Sequence, residues 1–225
     1  MSLTFAFDIY GTLIDTKDVS SLLQQYIGEQ ANAFSNQWRE KQLEYSFRRG
    51  LMKQYQRFDV CTKDALDFTD TMFASKLTSE QKQALLNRYT SLAAFPSVSD
   101  CLRDLQKEQV KLYAFSNGPA SSVQRLLDNA GLSTYFVDIV STDEIQSFKP
   151  NPAVYHHFLE RAGSAANETW LISSNSFDVL GAKAAGLKSA WLQRDSSTVL
   201  DPWDITPDLT ISDLDGLFGL INKKP

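Results

Sequence analysis

The pattern of apolar and polar positions divides the chain into three stretches with different periods. Residues 3–7 form a short apolar run that ends on Asp8 and is followed by Gly11. Such a run suits a buried strand whose carboxyl end presents a polar side chain to a cleft, with a glycine turn beyond it. From Thr16 to Leu92 the period becomes helical: Val19, Leu22, Leu23 and Tyr26 share one face, and Phe34, Trp38, Leu43 and Phe47 recur at helical intervals. Four helices and no strand are expected there, with Thr62 and Thr78 as N-caps and Thr78 to Gln81 at capping-box spacing. Beyond Pro96 the two periods alternate. Helices are expected over 97–107, 120–130, 152–162 and 178–185, strands over 110–115, 137–140, 169–172, 188–192 and 209–211, and a helix closes the chain.

Strands separated by helices of this length imply right-handed crossovers and an α/β fold with a doubly wound parallel sheet. Ligands of such sheets bind beyond the carboxyl ends of the strands. The helical block is then an insertion after the first strand: a cap domain over 16–92 above a core domain of 1–15 and 93–225.

Composition narrows the class. The 225 residues, 43% hydrophobic and 22% charged, suffice for one good core and a smaller accessory unit. A net charge of -5 speaks against nucleic acid, whose phosphates need clustered Lys and Arg. The short basic groups Arg48-Arg49 and Lys223-Lys224 read as solvated faces. No stretch of about 18 apolar residues occurs, and no charged segment with a long apolar run opens the chain, so a cytoplasmic protein without membrane contact is expected. Cys61 and Cys101 stand far apart without metal-ligand spacing and read as reduced structural thiols. The two histidines, His156 and His157, are adjacent in an expected helix, which disfavours a histidine triad. Chemistry must run on carboxylates, Lys, Arg and hydroxyls.

Four polar clusters fall at expected strand ends: Asp8-Ile9-Tyr10-Gly11-Thr12, Ser116-Asn117-Gly118, Lys149-Pro150, and Ser173-Ser174-Asn175-Ser176-Phe177-Asp178. Each has a bland reading. Asp8 alone could end a strand in a turn, Asp178 could cap its helix, and Tyr155 could be a core aromatic. Arg39 and Leu43, four apart on one helix, could enter the cleft together, or Arg39 could balance Glu40 or Glu44 at the surface. Taken together, the clusters supply a carboxylate that works as a nucleophile if desolvated and kept ionised, and an ammonium, Lys149, able to keep it so from about 4 to 6 Å. The runs Phe68, Met72, Phe73 and Leu85, Leu86, Tyr89 read as packing surface.

In this order the clusters resemble the four motifs of the haloacid dehalogenase superfamily. Trp38-Arg39-Glu40-Lys41-Gln42-Leu43-Glu44-Tyr45 is similar to the cap helix of its (S)-2-haloacid dehalogenases, so the resemblance spans nearly the whole chain. It implies that Asp8 attacks C2 of a short (S)-2-haloacid such as 2-chloropropionate or chloroacetate, and that the Asp8 ester is hydrolysed to an (R)-2-hydroxy acid. By the same resemblance Lys149 keeps Asp8 ionised, and Asp178 orients and deprotonates the water, supported by Asn175 and Ser173. Thr12 and Tyr155 position Asp8 and the Lys149 region, Tyr155 being counted among the substrate-facing residues. Arg39 and Asn117 receive the halide, Ser116 and the amides of Ile9 and Tyr10 hold the substrate carboxylate, and Tyr10, Leu43, Phe58 and Phe177 form apolar walls. Phe177 departs from the family's usual Trp.

Two positions bear on the reaction. Tyr10 stands where the superfamily's phosphatases carry a proton-donating acid, which a departing halide does not need. Ser174 stands where they commonly carry a second metal-binding carboxylate, and magnesium relies on such groups. The resemblance thus implies an enzyme with no metal and no cofactor, and a homodimer. A magnesium-dependent phosphatase of the same fold and a non-catalytic binding protein remain open as alternatives.

Overall fold

The computed structural model describes residues 3–221, so Lys223-Lys224 lie outside the described residues. Six strands, β1 (Thr4–Phe7), β2 (Lys111–Ser116), β3 (Asp138–Ser141), β4 (Thr169–Ser173), β5 (Lys188–Leu192) and β6 (Leu209–Ile211), form one parallel sheet in the order β3-β2-β1-β4-β5-β6. β1 sits inside the sheet, pairing through Phe5 with Leu112 on one side and Trp170 on the other. Chain order reverses beside it, so Asp8, the residue after β1, stands at the switch point where such sheets bind ligands.

Alternation along β1 feeds both faces: Phe5 and Phe7 enter one core cluster, and Ala6 enters the other with Phe115, Tyr155 and Phe158. The crossover helices are α5 (Val98–Lys107), α6 (Ala120–Asn129), α7 (Pro152–Ala162) and α8 (Ser176–Ala184), and α9 (Phe218–Ile221) follows β6. α7 starts where Asn151 caps the amide of Ala153 and Pro152 occupies the first turn. The expected strands over 188–192 and 209–211 match β5 and β6, and the expected helix over 152–162 matches α7.

Between β1 and α5 the described residues contain α1 (Lys17–Ile27), α2 (Ala31–Leu51), α3 (Phe58–Phe73) and α4 (Ser79–Arg88), and no strand. Two neighbouring segments join this block to the sheet. Ile14 bridges Ala94 antiparallel, and the amides of Asp15 and Phe95 donate to the carbonyls of Ala93 and Leu13, each at 2.9 Å. Within the block the Trp38 indole N–H donates to the Thr62 carbonyl at 2.8 Å.

Several expectations need correction. Thr78 caps α4 in a full capping box with Gln81, but Thr62 lies inside α3, where its hydroxyl donates back to the Phe58 carbonyl at 2.9 Å. Asp178 does not cap α8; Asn175 holds that position and Asp178 lies in the first turn. The buried face of α2 is Ala31, Phe34, Trp38, Gln42 and Ser46, so the apolar stripe continues through polar residues rather than to Leu43 and Phe47. Phe68 and Met72 are 38% and 59% exposed and so face outward rather than into a core. Cys61 and Cys101 are buried free thiols whose burial pushes them up to about 11 and about 12. Among the described residues no helix is long and apolar enough to cross a membrane.

Candidate active site

The turn after β1 builds the centre. Gly11 adopts φ +81, in the region that favours glycine, and Thr12 to Ile14 fold back so that three amides share the Ile9 carbonyl. The Thr12 hydroxyl then donates to Asp8 Oδ2 at 3.0 Å and accepts the Ser174 amide at 2.9 Å. From the end of β4, Ser173 Oγ donates to the same Oδ2 at 3.1 Å and Asn175 Nδ2 at 2.7 Å. Among the described residues Oδ2 therefore accepts three bonds, while Oδ1 has one partner, the Lys149 ammonium at 3.2 Å. The backbone amides of Ile9 and Tyr10 donate to no group among the described residues.

Lys149 is 1% exposed and spends its three donors on Asp8 Oδ1, the Phe115 carbonyl at 2.8 Å and Asp178 Oδ2 at 2.7 Å, with the Phe115 ring 4.2 Å from the nitrogen. A buried ammonium is tolerable only with such complete pairing. Asp178 is fully buried, and its other oxygen accepts the Tyr155 hydroxyl at 2.8 Å. Burial raises its carboxyl to about 6, with Lys149 opposing and Asp8 adding to the rise.

Asn117 Oδ1 accepts the Lys149 backbone amide at 2.9 Å and the Thr142 hydroxyl at 3.2 Å. A backbone amide can only donate, so the oxygen is fixed on that side, and Nδ2, with no partner among the described residues, is left to another group. Ser116 Oγ accepts the Gly118 amide at 3.1 Å and keeps its own hydrogen. Tyr10 is half-buried, its ring 6.1 Å from that of Tyr89. Burial, then Tyr89, holds its phenol well above the ordinary value, so it stays a donor.

The sequence-selected residues divide accordingly. Asp8, Thr12, Lys149, Ser173, Asn175 and Asp178 form one bonded set, and Asn117 joins it through Lys149. Tyr155 is fully buried behind Asp178 and cannot reach a substrate, and the side chain of Ile9 is core, leaving only its amide. Arg39 is half-buried, donates to Gln42 Oε1 at 2.6 Å and acts electrostatically on Tyr10 and Tyr89. It pairs with neither Glu40 nor Glu44, the latter being taken by Lys41 and Arg48. Leu43 packs against the cluster of Phe58, Cys61 and Phe148, and Phe177 meets Phe47 of α2 edge-on at 5.4 Å.

Sequence reasoning passed over Gln42, Thr142 and Arg194. Arg194 Nη2 donates to the Thr12 carbonyl at 2.7 Å while its guanidinium lies 4.2 Å over the Phe95 ring, so one side chain touches both segments that lead to the helical block. An arginine shortly after a strand carries no sequence signal of that role.

A buried carboxylate held on one oxygen by hydroxyls and an amide, and on the other by an ammonium, is oriented and charge-paired in the way a carboxylate nucleophile requires. The comparisons with known proteins agree. A family of haloacid dehalogenase-like hydrolases matches residues 3–186. (S)-2-haloacid dehalogenase 2 of Pseudomonas sp. (strain CBS-3) is 38% identical over 96% of this chain and 94% of its own. The (S)-2-haloacid dehalogenase of Pseudomonas sp. (strain YL) is 34% identical over 93% and 90%. A solved structure of L-2-haloacid dehalogenase from Xanthobacter autotrophicus with chloropropionic acid covalently bound superposes with a TM-score of 0.93 at 28% identity, covering all of both chains. The chain belongs to the haloacid dehalogenase-like hydrolases and, within them, to the family of the (S)-2-haloacid dehalogenases.

Proposed function

We propose that the protein hydrolyses short (S)-2-haloacids to (R)-2-hydroxy acids through a covalent Asp8 ester, without a metal ion. The observation that carries this reading is the asymmetry of Asp8: three donors fix Oδ2, and Oδ1 faces only the Lys149 ammonium. Oδ1 is the freer oxygen and is the one that attacks C2. The new C–O bond forms as the C–halogen bond breaks on the opposite face, and the halide leaves with the bonding pair. The donors assigned to it are the unpartnered Asn117 Nδ2 and the remaining N–H groups of Arg39, a cation that cannot act as a base. The substrate carboxylate is assigned to the Ile9 and Tyr10 amides and the Ser116 hydroxyl.

Water then attacks the Asp8 carboxyl carbon. Its proton passes to the Lys149–Asp178 pair, and the ester oxygen leaves with C2, takes a proton and departs as the hydroxy acid. Asp178, raised toward neutrality, has the proton affinity that step needs. Tyr10 and Ser174 support a metal-free course: the first is a phenol, and the hydroxyl of the second donates to the Gly11 carbonyl at 2.8 Å. The helical block, placed on Tyr10, Phe177 and the two linking segments, is read as a cap, and a homodimer and a cytoplasmic location belong to the same reading.

The test is halide release from (S)- and (R)-2-chloropropionate with EDTA present, beside Asp8→Asn. Release from the (S) acid alone, lost in the variant, is the expected result. Magnesium-dependent phosphate release without dehalogenation would overturn the reading.

A further inference from the structure

A groove of about 340 Å³ lies between α3, α4 and the start of α6. It meets the candidate site at Tyr10, Phe58 and Gly118, and Asp8 is not among its walls. Volumes near 300 Å³ and above are those of drug-sized ligands, so a three-carbon acid, whose reacting atoms sit at Asp8, leaves this space unused.

The chemistry of the walls selects the occupant. Phe58, Val60, Leu86, Tyr89 and Pro119 are apolar or aromatic. Several polar groups of the walls are already bonded: Gln42 Oε1 accepts from Arg39, Gln42 Nε2 donates to Thr62 Oγ1 at 2.5 Å, and Thr62 Oγ1 donates to the Phe58 carbonyl. Gln83 is likewise bonded to Asn87, and Lys63 to Asp67. Asp59, paired with Arg57, and Thr90, Ser122 and Arg125 complete the polar part of the walls; the apolar part offers a ligand methylene and ring surface, and a hydrocarbon tail is what gains most there. Gly118 and Ser122 are the small residues of the walls.

We infer that this groove is the binding site for the apolar tail of medium-chain 2-haloacids, so the protein takes acids of about six to eight carbons besides short ones. The inference rests on the Asp8 reading, which positions C2 next to Tyr10.

The experiment is a series of (S)-2-bromo acids from three to eight carbons, with wild-type protein, Ser122→Trp and Leu86→Trp, which fill the groove from opposite walls. In the wild type kcat/KM should rise along the series by up to about fourfold per methylene buried, and octanoate should compete with the three-carbon substrate. Each Trp variant, shown folded by circular dichroism, should lose about tenfold or more on the eight-carbon acid and keep the three-carbon rate within about twofold, with octanoate inhibition weakened. A kcat/KM that falls from three carbons onward overturns the assignment, as do variants that spare the long acid. Equal loss on both acids overturns it too and marks the groove as an entry path. Silence on the three-carbon acid would instead refute the Asp8 reading itself.

Discussion

Asn117 Oδ1 accepts the backbone amide of Lys149 at 2.9 Å, so the residue assigned to the halide also fixes the segment that carries the buried cation. The two duties sit on different atoms of one side chain and can be separated. Asn117→Asp keeps an acceptor for Lys149 and Thr142 but replaces the free NH2 by a charged oxygen facing the departing halide. Its kcat should fall by about a hundredfold or more with melting nearly unchanged, as read by steady-state kinetics and a thermal melt. Asn117→Ala should lose both, with about 1–3 kcal/mol of stability gone because two buried donors lack their acceptor.

Asp178 should set the acid limb of the rate. Its carboxyl, raised by burial to about 6, accepts a proton only when ionised, so kcat should decline as pH falls through about 6. A kcat profile between pH 4.5 and 8 checks this. Because Lys149 and Asp8 both act electrostatically on Asp178, the midpoint reflects the bonded set rather than one isolated carboxyl. A rate flat down to pH 5 would count against Asp178 as proton acceptor.

Gln42 holds Arg39 through its Oε1 while its Nε2 donates to Thr62. Gln42→Leu keeps the volume and frees the guanidinium, so kcat should drop by about tenfold with KM little changed. Kinetics on chloride and bromide substrates measure it, the poorer leaving group being the more affected. Equal rates in variant and wild type would mean that Arg39 is productively placed without this bond.

Gly181 has no room for a side chain: a Cβ there would collide with the Tyr155 hydroxyl and lie 2.6 Å from Pro150 Cβ. Gly181→Ala should therefore cost about 1–3 kcal/mol and lower kcat by displacing Tyr155 from Asp178. A chemical melt and a rate assay on the same sample test it. Unchanged stability would show that α7 yields easily.

Much of this was legible in the sequence because the sheet writes itself in short apolar runs. β5, β6 and α7 follow from their patterns, and the six residues of the bonded set, Asp8 included, fall at the end of β4 or in the segments that follow β1, β3 and β4. The helical block was less legible. Periodicity says that Phe68 and Met72 share a face but not what covers it, and both are exposed. On α2 the buried stripe passes through Ser46, whose hydroxyl donates to the Leu43 carbonyl, and Gln42, whose amide is bonded to Thr62 of α3, a partner no local pattern reveals. Tyr155 looked like a substrate contact by resemblance; its placement behind Asp178 depends on how α7 packs on α8, which no local pattern encodes.

The position of β1 in the sheet bears on how the molecule comes to be. Phe5 is synthesised before both of its partners: Leu112 follows only after the whole helical block, and Trp170 later still. Asp8 gains Ser173 and Asn175 at that same late moment. Long-range pairings of this kind slow folding and leave an apolar strand open meanwhile. A nascent chain halted short of Trp170 would thus hold its nucleophile on a strand with one edge unpaired, a target for chaperones until the rest arrives.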